Sequence, residues 1–183
     1  EQAYYDLAAA RLNLRKPGAA ITTLEEAQKR FGETFVSEYL LGVCCTASSN
    51  YVEAVRHYNA AEIIARATDP KRLTPMFYFQ MAGAHERKGQ YSEAVKDLEK
   101  CLELDPDFAE GANFLGYMWA ERGENLDRAR ELIERAVKAE PKNNAFLDSL
   151  AWVLFKQGHP REALPVIEQA ITLAVGEKDL DPT

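Results

Sequence analysis

Apolar residues recur along this chain at intervals of three and four, in stretches that predict paired amphipathic helices. In 75–108 the first stretch carries Tyr78, Met81, Ala82 and His85 at helical spacing. In 144–177 the matching set is Leu147, Leu150, Ala151 and Leu154. A short turn follows each, at "KGQ", "RGEN" or "QGHP", where glycine supplies the positive φ that ends a helix. The second stretch carries alanine pairs seven residues apart: Ala20/Ala27, Ala54/Ala61, Ala129/Ala136 and Ala163/Ala170. Ala94/Cys101 is a small-for-small variant of the same pair. Side chains this small let two helices cross at close distance. Pro106 and Pro141 then stop the second helix of their units.

The pattern is a repeat of about 34 residues. "PMFYFQMAGAHERKGQYSEAVKDLEKCLELDPD" aligns with "AEGANFLGYMWAERGENLDRARELIERAVKAEPKN" once one extra residue is allowed after Gly123, and the stretch from Asn144 continues in register. Five units tile the chain at 1–34, 35–68, 75–108, 109–143 and 144–177, with an insertion at 69–74. Residues 178–183 are expected to be a linker or the start of a further unit, and the chain itself a trimmed piece of a longer array, since it opens at Glu1 without Met. One continuous array is expected, not separate domains. Pro165 lies inside the second helix of the fifth unit, where a slight kink is the expected outcome.

A small residue at the eighth position of each unit, alanine at the twentieth and twenty-seventh, and proline at the thirty-second resemble the tetratricopeptide repeat. The resemblance covers nearly the whole chain and is sharpest in the last three units. It implies an all-α fold, a right-handed superhelical solenoid of about five helix-turn-helix hairpins. The first two units depart from the pattern. Arg11 stands where the family prefers an apolar residue, Gly32 and Arg66 take the proline slot, and Glu38 is an acidic residue at a fourth position. The last two units are similar to those of bacterial tetratricopeptide proteins, several of them outer-membrane lipoproteins or periplasmic adaptors. That implies a bacterial, envelope-associated protein.

In such repeats the first helices line a concave face. By register, the groove-facing slots hold Tyr5, Tyr39, Phe79, Gln80, Asn113, Tyr117, Asp148, Trp152 and Lys156. Aromatic rings give large contact area at low entropy cost, and an asparagine can bond both the N–H and the C=O of an extended peptide. The other reading of Tyr5, Tyr117 and Trp152 is that they pack against a neighbouring repeat. Some family members clamp a peptide carboxylate with Lys and Asn in their early units. The slots that would carry the clamp hold Tyr5, Ala9, Tyr39 and Val43, so that specificity is not expected.

Composition narrows the function classes. The chain has 183 residues, 46% hydrophobic and 28% charged, as in an ordinary packed protein. Its net charge is −7, and the deficit falls entirely after residue 74: nine basic and nine acidic side chains precede that point, thirteen and twenty follow. An acidic surface without a basic stripe argues against nucleic acid as partner. No apolar run is long enough to span a bilayer. Cys44, Cys45 and Cys101 offer no CxxC pair and read as free packing thiols, which fits a reducing compartment such as the cytoplasm. His57, His85 and His159 fall in separate units, and no hydrolase, phosphate-binding, zincin or dinucleotide motif occurs. No enzyme activity, cofactor or metal is expected. The expected function is a protein-interaction module that holds a peptide or partner segment in its groove. The alternative is a scaffold that self-associates through its solenoid ends.

Overall fold

The computed structural model describes residues 1–178, and the helices in it follow the predicted pairs. They are α1 (Gln2–Asn13) with α2 (Pro17–Phe31), α3 (Phe35–Ala47) with α4 (Tyr51–Thr68), α5 (Pro75–Arg87) with α6 (Tyr91–Leu104), α7 (Ala109–Arg122) with α8 (Leu126–Ala139), and α9 (Asn144–Lys156) with α10 (Pro160–Lys178). A single 3-10 turn at Pro70–Arg72 occupies the insertion. No strand occurs among the described residues. The expected linker at 178–183 lies, beyond Lys178, outside the described residues. The chain divides into two compact units, the first reaching Asp97 and the second beginning at Leu98.

Each hairpin turn is closed in the same way. A residue in the left-handed region (Arg15, Ser49, Gly89, Gly123, Gly158) lets the next N–H reach back five residues. The bonds are Lys16 N–H to Arg11 O, Asn50 to Cys45, Gln90 to His85, Glu124 to Trp119 and His159 to Leu154, all at 2.8–2.9 Å. This 6→1 closure satisfies carbonyls that a helix end otherwise leaves open. Sequence located the three glycines but not Arg15 or Ser49, because a side chain at positive φ leaves no compositional mark. Arg15 is exposed, with φ 55°. Arg15→Gly should therefore stabilise the protein by about 0.5–1 kcal/mol, read as a raised thermal midpoint.

In the first unit, hydroxyl and amide side chains start the helices. Thr34 and Ser37 form a reciprocal capping box at α3, Asn50 accepts from Glu53 N–H at α4, and Thr74 accepts from Phe77 N–H at α5. Tyr5, Ala8, Ala20, Leu24, Ala27, Leu41 and Cys44 form one buried cluster. Farther on, the rings of Phe35, Tyr39, Tyr58, Phe77 and Tyr78 contact one another in series.

Two of the departures from the repeat pattern, Arg11 and Glu38, make polar pairs with buried side chains. Arg11 donates to Ala19 O at 3.0 Å and to the buried Thr23 hydroxyl. Glu38, 2% exposed, accepts from His57 Nδ1 at 2.7 Å and from Gln28 Nε2 at 2.6 Å. Arg56 in turn donates to His57 Nε2 at 2.9 Å, which leaves the ring proton on Nδ1. Burial pushes the Glu38 carboxyl up, but the His57 and Gln28 hydrogen bonds outweigh it and hold it below the ordinary glutamate value. His85, expected in the core, is buried there and pairs with Asp97 at 2.6 Å.

In the second unit, α9 is started by Asn143, whose side chain accepts from the N–H groups of Ala145 and Phe146. α10 runs continuously through Pro165. The small slots lie at the predicted crossings. Ala129 and Ala136 are wholly buried, as is Cys101, while Ala163 keeps 7% exposure. Ala136 packs with Ala109, Phe146 and Val137 at the junction of α7, α8 and α9. Three added carbons have no room there, so Ala136→Leu should cost about 1–3 kcal/mol. A fall in urea midpoint with unchanged slope would register it. The three cysteines are free and buried, and burial pushes the Cys44 and Cys101 thiols up to about 11.

Candidate functional site

The slots expected to face a groove separate into packing residues and a surface patch. Tyr5 belongs to the first group: it is 6% exposed, and its hydroxyl donates to Glu1 Oε1 at 2.6 Å while bonding Thr34 Oγ1 at 2.9 Å. Its expected groove role is corrected accordingly. The ring belongs to the buried cluster that joins α1, α2 and α3. Tyr39 is half-buried, stacked on Phe35 at 5.8 Å and 6.0 Å from Phe77, with the Gln80 side chain against its hydroxyl. Phe79 and Gln80 are half-buried on α5.

The second unit gathers the remaining residues. Asp148 and Trp152 lie one turn apart on α9, and with Tyr117 of α7 they line a cleft of about 540 Å³. Its other walls are Glu121 at the end of α7, Ala151 and Phe155 of α9, and Pro160, Ala163, Leu164 and Ile167 of α10. The Trp152 ring stacks on Phe155 at 5.7 Å with 22° between planes. Lys156 places its ammonium 5.3 Å from the Trp152 centroid and donates to Glu121 O at 3.0 Å. Lys156 therefore braces the tryptophan and ties α9 to α7, and it is not among the cleft's lining residues. Asn113 is half-buried two turns before Glu121 on α7.

Four buried side-chain polar atoms among the described residues meet neither solvent nor a partner: Gln80 Oε1, Asn113 Oδ1, Trp152 Nε1 and Gln157 Oε1. Three of the four occupy the slots singled out from sequence. The contribution of α10 was not anticipated. Leu164, Ile171 and Val175 are all more than half exposed and continue with Ile167 along one stripe. By spacing alone such a stripe reads as core, the place where a further unit of the expected longer array would pack. No group of three or more His, Cys, Asp or Glu arranged to hold a metal exists among the described residues. No described helix is long and apolar enough to cross a membrane.

Hairpins of two antiparallel helices, crossing at small side chains and repeated at a fixed interval, define a helical-repeat protein. Tetratricopeptide repeat models match residues 33–107 and 79–144. The chain belongs to the tetratricopeptide repeat family. Over 128 residues it is 33% identical to Hsp70-Hsp90 organizing protein 3 of Arabidopsis thaliana, covering 70% of this chain and 20% of that protein. Over 86 residues it is 36% identical to a TPR repeat-containing protein of Pseudomonas aeruginosa, covering 47% of this chain and 15% of that one. The chain thus spans a fifth or less of these two relatives' length. Among solved structures, MamA from Desulfovibrio magneticus superposes with a TM-score of 0.81 at 18% identity, over 96% of this chain and 95% of that one. YrrB, described as a TPR protein with an unusual peptide-binding site, gives 0.74 at 18% identity over 96% and 90%. These likenesses show the fold, an all-α solenoid of helical hairpins.

Proposed function

We propose that this chain is a protein-interaction module that holds an extended or helical peptide segment of a partner against its first helices. Asn113, Tyr117, Asp148, Trp152 and Lys156 supply the principal patch, and Tyr39, Phe79 and Gln80 a further one in the first unit. One observation carries the reading: Gln80, Asn113 and Trp152 each bury a polar atom that has no partner. A buried, unpaired donor or acceptor costs about 1–3 kcal/mol, so each of these side chains carries a hydrogen-bonding capacity that its own fold does not use. A peptide backbone offers what they lack, an N–H for each amide oxygen and a C=O for the indole N–H, once the side chains turn toward it. The names of the relatives, an organizing protein and a peptide-binding repeat protein, support the same class of function.

The test is affinity for peptides selected from a displayed random library, measured by fluorescence polarisation. Trp152→Ala should weaken binding by roughly thirtyfold, about 2 kcal/mol, with helicity and melting nearly unchanged. Asn113→Ala should weaken it in the same direction. Glu131→Lys, on the exposed side of α8, should do little. A protein whose binding is lost with Glu131→Lys and untouched by the other two binds through its opposite face.

A further inference from the structure

We infer that the α7–α9–α10 cleft selects a partner segment in which a bulky apolar side chain is flanked by lysine or arginine. The inference rests on the peptide-binding reading above and names the chemistry of its ligand. The floor is apolar, formed by Ala151, Trp152, Phe155, Ala163, Leu164 and Ile167. Small residues at 151 and 163 leave a depression between α9 and α10, and Phe155 and Leu164 are 56% and 58% exposed. A volume near 540 Å³ is within the range of cavities that enclose ligands.

Charge decides which apolar segment fits. The two ionisable groups lining the cleft are Glu121 and Asp148, and both are carboxylates. Both are exposed, and among the described residues neither takes part in an ion pair. Three other carboxylates of this unit are tied: Glu134 to Arg130 at 2.7 Å, Glu124 to Arg122 at 3.0 Å, and Asp127 to Gln157 at 2.9 Å. No basic residue lines the cleft, since the Lys156 ammonium is turned to Glu121 O and the Trp152 face. An apolar segment seated here displaces water around both carboxylates, which lowers the local dielectric and penalises an uncompensated charge. A ligand that brings its own cations offsets that penalty, whereas an acidic ligand adds repulsion.

The experiment measures three labelled nine-residue peptides with a central Leu-Phe pair flanked by Lys, Ser or Glu, in low salt and in high salt. The Lys-flanked peptide should bind at least about tenfold more tightly than the Glu-flanked one in low salt, and the gap should narrow as salt screens it. The Glu121→Gln/Asp148→Asn double variant, at two exposed positions, should bring the three peptides to within about twofold of each other. Leu164→Asn, which removes apolar lining without adding charge, should weaken all three. Equal binding of Lys- and Glu-flanked peptides, or a preference that survives in the double variant, overturns the inference and leaves the peptide-binding reading standing. Failure of every peptide, and of the displayed library, removes both. A concentration-dependent dimer in sedimentation that Leu164→Asn abolishes would show the cleft's occupant to be a second copy, and would also overturn the inference.

Discussion

Gly116→Ala should lower the stability of this protein by about 2–3 kcal/mol, although a glycine-to-alanine change inside a helix ordinarily raises it by roughly 0.5–1 kcal/mol. Gly116 occupies the eighth slot of its repeat, at the crossing of α7 and α8. A Cβ built there would stand 2.7 Å from the carbonyl oxygen of Ala129 and 2.7 Å from Ile133 Cγ1. The first of these is backbone and cannot swing aside, so the helices must part. Gly83 in α5 is the internal control: nothing lies within 4 Å of its missing Cβ, and its φ is not positive. Gly83→Ala should therefore stabilise. The two variants make the same chemical change in first helices of adjacent repeats, and thermal melting should move in opposite directions. At roughly 2–4 °C per kcal/mol for a chain of this size, the separation is easily read.

Glu38→Ala should cost about 2–3 kcal/mol. It strips the acceptor from His57 Nδ1–H, which is left in a buried place with nothing to bond, and removes one of the two acceptors of Gln28 Nε2, which keeps Ser37 Oγ at 3.1 Å. A buried orphan costs on the order of 1–3 kcal/mol, before any loss of packing. Acid should expose the same interaction in the unaltered protein. The folded-state value of Glu38 is depressed, so its contribution is fully present above the ordinary glutamate value and is lost as pH falls through the lower, folded one. Urea midpoints followed down through the carboxylate range should decline less steeply in Glu38→Ala than in wild type. A parallel decline would mean that the pair contributes nothing specific to acid stability.

Period carried most of the fold into the sequence. Alanines seven apart are visible without any structure, and so are glycines at three turns, because both are choices of residue type forced by space or by φ. Glu38 and Arg11 were equally visible, but only as breaks in the pattern. Their meaning depends on His57 and Thr23, which lie nineteen and twelve residues away and follow no repeat. The candidate site divides along the same line. Asp148, Trp152 and Tyr117 follow from slot and period. The contributions of Glu121 and α10 depend on which apolar stripe goes uncovered, and on which carboxylate finds no cation. Tyr5 shows the limit of register: it takes the same slot as Asn113 and Asp148, yet its ring is consumed by the cluster of the first hairpin.

The recurring turn closure bears on how the chain acquires its structure. Every hairpin carries its own lock, made from a left-handed residue and a hydrogen bond spanning five residues, and none of the five borrows atoms from another hairpin. Much of the loop entropy is thus paid over short segments, which is the condition for fast folding. Nucleation has no privileged address in such a chain. As synthesis releases one hairpin after another, each turn can close by itself, and the apolar faces it presents are covered when the next hairpin stacks on them.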